Sequence, residues 1–175
     1  MGIFEFKPPK NIKKLQLVFG ILLLGSIAVL LLTYIFTFPA EWTVQLLGLG
    51  MLGMGIFVFT RYIIKDFVYA SVKDENGGID FTVTEQTYKK SVVVCRISTA
   101  NVEKIFVVDQ GDKTNELQLK QLIKDGKYKR FNYCADLFDE KYICVLANEC
   151  GQPVALKLSY HPSLESFFHG CEGMR

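Results

Sequence analysis

The residues of this chain best suited to chemistry are five cations close together in its second half, Lys120, Lys124, Lys127, Lys129 and Arg130, with Tyr128 and Phe131 set among them. Cations interleaved with aromatic rings suit an anionic surface, and beside the inner leaflet of a membrane each adds about 1 kcal/mol of attraction. The cluster therefore predicts a contact with anionic lipid or with a protein partner. Its alternative is a solvated helix and strand face, with Asp125 offsetting part of the charge.

Other constellations carry less. Five cysteines, Cys95, Cys134, Cys144, Cys150 and Cys171, cannot all pair within one chain, and none has a Cys-x-x-Cys or Cys/His spacing of the zinc type. Cys95 and Cys144 stand in apolar, strand-like runs and read as small core hydrophobes. The two histidines, His161 and His169, both fall in or near the last predicted helix; a metal site would have to join His169 and Cys171 to Cys134 or Cys150, and spacing gives that no support. A Cys-His hydrolase has no better basis. Gly48-x-Gly50 and Gly53-x-Gly55 lie inside a long apolar run, whereas a nucleotide loop needs a strand before it and a helix after it. The sequence thus predicts a protein that is not an enzyme, with no catalytic, cofactor-binding or metal site and no cofactor.

The elements that must position these residues begin with two apolar runs, Leu15–Phe38 and Trp42–Ile64, separated only by Pro39, Ala40 and Glu41. A run of about 23 residues makes roughly 35 Å of helix, enough to cross a hydrocarbon core of about 30 Å. In lipid a segment of this length satisfies its backbone only as a helix. A buried hairpin of a soluble protein is the competing reading, but core helices usually carry shorter apolar stretches. A cleaved signal peptide fits poorly, because the apolar core is too long and no small-residue cleavage site follows it.

Neither span has an ionisable residue in its interior; the deepest polar side chains are Ser26, Thr33, Thr43 and Gln45, which argues against an ion or substrate path through this hairpin alone. Gly48 and Gly55 share one helix face, with Gly50 and Gly53 near a neighbouring stripe. Small residues let helices approach closely, so these glycines predict packing against the first span, with a homo-oligomer face as the alternative.

Lys7, Lys10, Lys13 and Lys14 precede the first run, Arg61 and Lys65 close the second, and the turn between carries no cation. Juxtamembrane cations stay inside, so the expected location is the cell membrane, multi-pass, with both termini cytoplasmic. Reduced cysteines agree with that compartment. From Phe67 onward fourteen cations face fifteen acids, so the remainder is near neutral and predicts no nucleic-acid partner.

Three segments follow: a cytoplasmic N-terminal segment over 1–14, read as a surface-lying lead-in or a plain tail, the transmembrane hairpin over 15–65, and a cytoplasmic domain over 66–175. Alternation predicts strands over 67–73, 79–84 and 127–133, and branched or apolar runs predict them over 88–97, 104–108, 141–147 and 154–158, with Asn76-Gly77 as a hairpin turn and Gly151 to Pro153 as another. A short helical turn is expected after Ser98. An amphipathic helix capped by Thr114 is expected over 114–124, and a last one over 162–169 with Leu164, Phe167 and Phe168 on one side.

The hairpin at 15–64, the strand pair from Phe67 to Thr84, the Ser91–Ile97 strand leading into Val102, the run Tyr142–Leu146 and the terminal Pro162–Phe168 segment together resemble the membrane-anchored bacterial pleckstrin-homology-like proteins of the YcxB-like kind. The resemblance rests on element order over most of the chain. It implies an α+β membrane protein in which a two-helix transmembrane hairpin precedes an antiparallel pleckstrin-homology-like open barrel with a C-terminal helix. It also implies a binding or scaffolding module without chemistry. Relatives of that superfold often bind phosphoinositides near the first strand loop; here that loop offers Lys73 alone against Asp74 and Glu75, which argues against the same use.

The functional expectation is a non-catalytic scaffold at the cytoplasmic face, in contact with membrane lipids and with a protein partner that the sequence does not identify. The alternative is an accessory subunit of a larger membrane complex, acting through its glycine-rich spans.

Overall fold

The computed structural model describes residues 4–35, 41–74, 77–109 and 111–172, with the side chains of Lys113, Cys171 and Glu172 outside that description. The expected turn residues Pro39, Ala40, Glu75 and Asn76 lie outside the described residues. The chain divides into two compact units, Asn11–Lys65 and the combination of Met1–Lys10 with Asp66–Arg175. It is an α+β protein in which a pair of apolar helices precedes antiparallel sheets and a C-terminal helix.

The helical unit holds α1 (Ile12–Ile35) and α2 (Glu41–Val58), the latter continuing as a π-helical segment, Phe59–Ile64. Both continuous helices, Ile12–Ile35 and Glu41–Ile64, are long and apolar enough to cross a membrane, with mean hydropathies of 2.6 and 1.7. Only 11% and 17% of their most apolar stretches are buried. The core helix of a soluble protein would be mostly covered.

The two helices pack antiparallel along a seam of small and polar residues. A Cβ on Gly48 would come within 3.0 Å of Leu30 Cγ, and one on Gly55 within 3.5 Å of Leu22 Cβ. Gly50 and Gly53 have nothing within 4 Å of that position, so the four glycines divide between an inner and an open face. Ser26 and Thr33 are buried in the seam and donate to the carbonyls of Leu23 and Leu30, each at 2.8 Å. Such back-bonding satisfies a hydroxyl within its own helix.

The second unit begins with β1 (Phe4–Phe6), which precedes the helices in sequence yet pairs antiparallel with β2 (Lys65–Lys73), Phe4 opposite Ser71 and Phe6 opposite Tyr69. The N-terminal segment expected to lie on a surface or hang free is in this stretch an edge strand. Its phenylalanines are the reason: Phe4 stacks on Phe167 at 5.7 Å and Phe6 on His161 at 4.0 Å. Lys7 pairs with Asp66 at 2.7 Å, and Lys10 pairs with the same carboxylate.

β3 (Ile79–Thr87) and β4 (Lys90–Ser98) complete a first sheet of order β1-β2-β3-β4. Tyr88, expected inside the strand, instead makes the β3–β4 turn with φ 49°. A 3-10 turn at Thr99–Asn101 then leads to β5 (Val102–Asp109). Next come α3 (Lys113–Asp125), β6 (Lys129–Asn132), β7 (Lys141–Glu149), β8 (Gln152–Ser159) and α4 (Pro162–Glu172).

The second sheet has the order β5-β7-β8-β6, and β6 runs parallel to β8. The expected succession of antiparallel strands is broken there, because the connection 133–140 carries the chain from β6 past the end of β8. That connection is pinned to β8: Tyr133 N–H donates to Lys157 O, Ala135 N–H donates to Ser159 Oγ, and Ser159 Oγ–H donates to Asp139. Tyr69 adds a long-range tie, donating to Tyr133 O at 2.8 Å and accepting from Ser159 N–H at 3.1 Å.

Alternation places Phe67, Tyr69, Phe81 and Val83 of the first sheet against Ile143, Val145, Leu156 and Leu158 of the second, with Leu164 and Phe168 of α4 packed into the same core. A second core lies on the other face of the second sheet. There α3 lays Leu119 and Ile123 over Cys144, Leu146 and Ala155. The cap of α3 is Asp112, not Thr114: its carboxylate accepts from the amides of Thr114 and Asn115. An acid at that position also complements the positive end of the helix.

Candidate functional site

Of the five cations predicted to act together, Lys129 and Arg130 lie on opposite faces of β6. β6 is a strand, so successive side chains point to opposite faces. Lys129 Nζ sits over the Phe131 ring at 5.3 Å, and Phe131 stacks on Tyr133 beside the core between the sheets. Arg130 is opposite Ala155 in the parallel register, on the face covered by α3. Lys120 pairs with Glu116 one turn earlier at 2.7 Å. Lys124 lies exposed near the end of α3, and Lys127 takes φ 52° in the exposed connection to β6.

Lys120 and Arg130 are brought together, joined by Lys157, a residue with no place in the sequence cluster. These three line a cavity of about 260 Å³ between α3 and the second sheet. Leu119, Ile123, Cys144 and Ala155 supply apolar lining, and Glu116 brings one carboxylate. Lys157 Nζ rests over the Tyr142 ring at 3.9 Å. Among the described residues no carboxylate pairs with Arg130.

The helix over the cavity is held at its far end as well. Tyr128 Oη–H donates to Glu103, and that bond pushes the phenol pKa up. Gly126 caps α3, where any Cβ would run into the Tyr128 ring.

A second concavity, about 920 Å³ and open, lies on the first sheet and is lined by Val68, Ala70, Thr82, Thr84 and Val93 among others. Arg96 also lines it, held by Asp80 at 2.7 Å and Asp74 at 3.4 Å. Beside it, β4 is the last strand of its sheet, and Val92 and Val93 are 59% and 57% exposed. The register shift between Val83 and Thr84 makes Val94 the extra residue of a bulge, whose carbonyl accepts from Tyr133 Oη at 3.3 Å. A long apolar edge strand is a template for pairing with another chain.

Burial pushes the Cys144 thiol up to about 11, against the opposing charges of Lys157 and Arg130. The Cys95 thiol rises to about 11 and that of Cys134 to about 12, burial being the main cause in each. Thiols held this high stay protonated near neutrality and are poor nucleophiles. Cys150 is exposed in the β7–β8 turn.

His161 Nδ1 accepts from Ser163 N–H at 3.2 Å, and His169 lies 3.9 Å from Glu165. Among the described residues no three His, Cys, Asp or Glu side chains are grouped as a metal site. Burial raises the Asp139 carboxyl although Ser159 donates to it. Burial also pushes on Asp66, but the hydrogen bonds and charges of Lys10 and Lys7 outweigh it and hold that carboxyl below the usual range.

Compared with known proteins, the chain matches no family model, no curated protein and no solved structure.

Proposed function

We propose that this chain is a membrane-anchored binding module: α1 and α2 cross the membrane as a hairpin, and the β-rich unit stands at the cytoplasmic face to receive a protein partner. The β unit is then a pleckstrin-homology-like open barrel of the YcxB-like kind, with α4 closing one end. Two four-stranded sheets followed by a helix support that assignment, with α3 and the parallel β6–β8 pair as departures from a plain meander. The observation that carries the binding function is on the first sheet, where the exposed valines of β4 adjoin the open groove. An extended segment added to such an edge gains main-chain hydrogen bonds, and the groove beside it reads its side chains.

Anchoring has separate support. β1 precedes the helix pair and β2 follows it, yet the two are hydrogen-bonded in register. A segment that leaves and re-enters one folded unit must return to the side it left, which favours two crossings over one. Lys13 and Lys14 in the first turn of α1, Arg61 in the π-helical segment and Lys65 at the start of β2 favour the cytoplasmic side.

Cys150 is a built-in reporter of that orientation. A membrane-impermeant thiol reagent should leave Cys150 unmodified on intact cells and modify it in inverted vesicles, read by peptide mass. Modification on intact cells would put the β unit outside.

Partner contact is tested by a photo-crosslinking residue at Val93 in the full chain, in its native membrane, with the original helices and with unrelated ones. The same adduct in both forms is expected, and none in either overturns the proposal. Loss on exchanging the helices would instead favour an accessory subunit acting through its spans, a reading that the open faces of Gly50 and Gly53 support.

A further inference from the structure

We propose that the cavity between α3 and the second sheet binds a small phosphate monoester, its phosphate held by Arg130 and Lys157 and its apolar body seated on Leu119, Ile123 and Ala155. This inference is independent of the partner-binding role assigned to β4, which lies in the other sheet.

The argument begins with the strand geometry. Arg130 stands opposite Ala155 on β6 and β8, and Asn132 opposite Lys157, so Arg130 and Lys157 are diagonal neighbours on one face. Cys144 lies across from Lys157 on β7. An arginine and a lysine placed on one face by backbone registry flank an apolar floor, over which α3 packs. Such a cavity is preformed, and ligand sites usually pair apolar walls with a few placed polar groups.

Charge selects the ligand. Lys120, Arg130 and Lys157 bring three positive charges to the lining and Glu116 one negative, which is already paired with Lys120. The surplus of two matches a phosphate monoester near neutrality. An arginine suits this group because its planar fork can give two parallel hydrogen bonds to phosphate oxygens.

Size limits the rest of the molecule. A cavity of about 260 Å³ can take a phosphate with a compact ring or short chain. A whole diacyl phospholipid is too large, so the inference commits to a soluble ligand.

The test is calorimetric titration of the full chain in neutral detergent micelles. Phenyl phosphate should bind saturably, while benzyl alcohol, which lacks the phosphate, and inorganic phosphate, which lacks the ring, should bind at least about tenfold more weakly. Arg130→Gln should weaken phenyl phosphate at least about tenfold, and Lys129→Gln, on the opposite face of the same strand, less than about twofold. Unchanged melting temperatures show that the variants fold; should Arg130→Gln melt early, Lys157→Gln replaces it with the same expected loss.

Absence of saturable binding overturns the proposal, as does equal loss in the Arg130 and Lys129 variants. Inorganic phosphate binding as tightly as phenyl phosphate overturns the apolar subsite. Binding of phosphatidate-containing phosphatidylcholine vesicles without binding of phenyl phosphate would assign the cations to a lipid surface, and overturns it too.

Discussion

Phe168→Ala is expected to destabilise the β-rich unit by about 3–5 kcal/mol, the cost of truncating a fully packed aromatic. Phe168 is completely buried, with the ring of Phe81 at 5.0 Å and that of Phe167 at 5.2 Å. Phe81 belongs to β3 of the first sheet, so this one side chain of α4 braces the strand that carries β4. Domains of this size are stable by only about 5–15 kcal/mol, and the loss is therefore at least about a fifth of the total. The measurement is near-ultraviolet circular dichroism of the full chain in detergent during denaturant unfolding. Ser166→Ala serves as the control, since its exposed hydroxyl donates to Pro162 O within its own helix, and a surface change of this kind stays within about 0.5 kcal/mol. A loss below about 1 kcal/mol for Phe168→Ala would mean that α4 is not an integral part of the core. The same variant should lower adduct formation at Val93, because the edge offered by β4 is only as well formed as the sheet behind it.

What the sequence made legible follows the range of the forces involved. The two apolar helices were readable because composition alone decides them, and α4 because Leu164 and Phe168 share a face at helical spacing. The β3 strand was readable from alternation, with Ile79, Phe81 and Val83 on one face, and β4 from its run of branched residues; Phe81 and Val83 do face the core between the sheets. The strand character of Phe4–Phe6 was not legible: a three-residue segment has no periodicity, and its partner lies beyond the whole helix pair. The cap of α3 was missed because Asp112 and Thr114 are both good capping types, and the choice depends on where the loop from β5 ends.

The cation cluster teaches a different lesson. Neighbours on a strand point to opposite faces, so the separation of Lys129 from Arg130 was implicit in the strand assignment itself. The arrival of Lys157 beside Arg130 was not, because it depends on β6 pairing in parallel with β8, a register set by the Tyr133, Ala135 and Asp139 contacts to β8. Local pattern found two of the three cavity cations; only the topology supplies the third.

Leu24→Arg is the sharpest test of what surrounds α1. Leu24 lies near the middle of Ile12–Ile35 and is 69% exposed. In water an arginine on such a surface would be welcome, and the chain would become more soluble in plain buffer. In lipid the same substitution costs about 2.5–3.5 kcal/mol at the centre of a span, on the order of a hundredfold in the insertion equilibrium. The expected outcome is therefore a marked fall in the fraction of chain that resists alkaline extraction from membranes. Ile12→Arg should have little effect, because Ile12 is the first residue of the helix, beside Lys13 and Lys14, where a long cationic side chain reaches the interface. A second readout follows from the pairing of β1 with β2: if α1 fails to insert while α2 still does, the two flanks no longer share a side, and Cys150 becomes open to impermeant thiol reagents on intact cells in part of the population. Equal retention of Leu24→Arg and Ile12→Arg, or improved solubility of Leu24→Arg without detergent, would show that α1 is bathed in water or covered by protein and would remove the anchor on which the binding role stands.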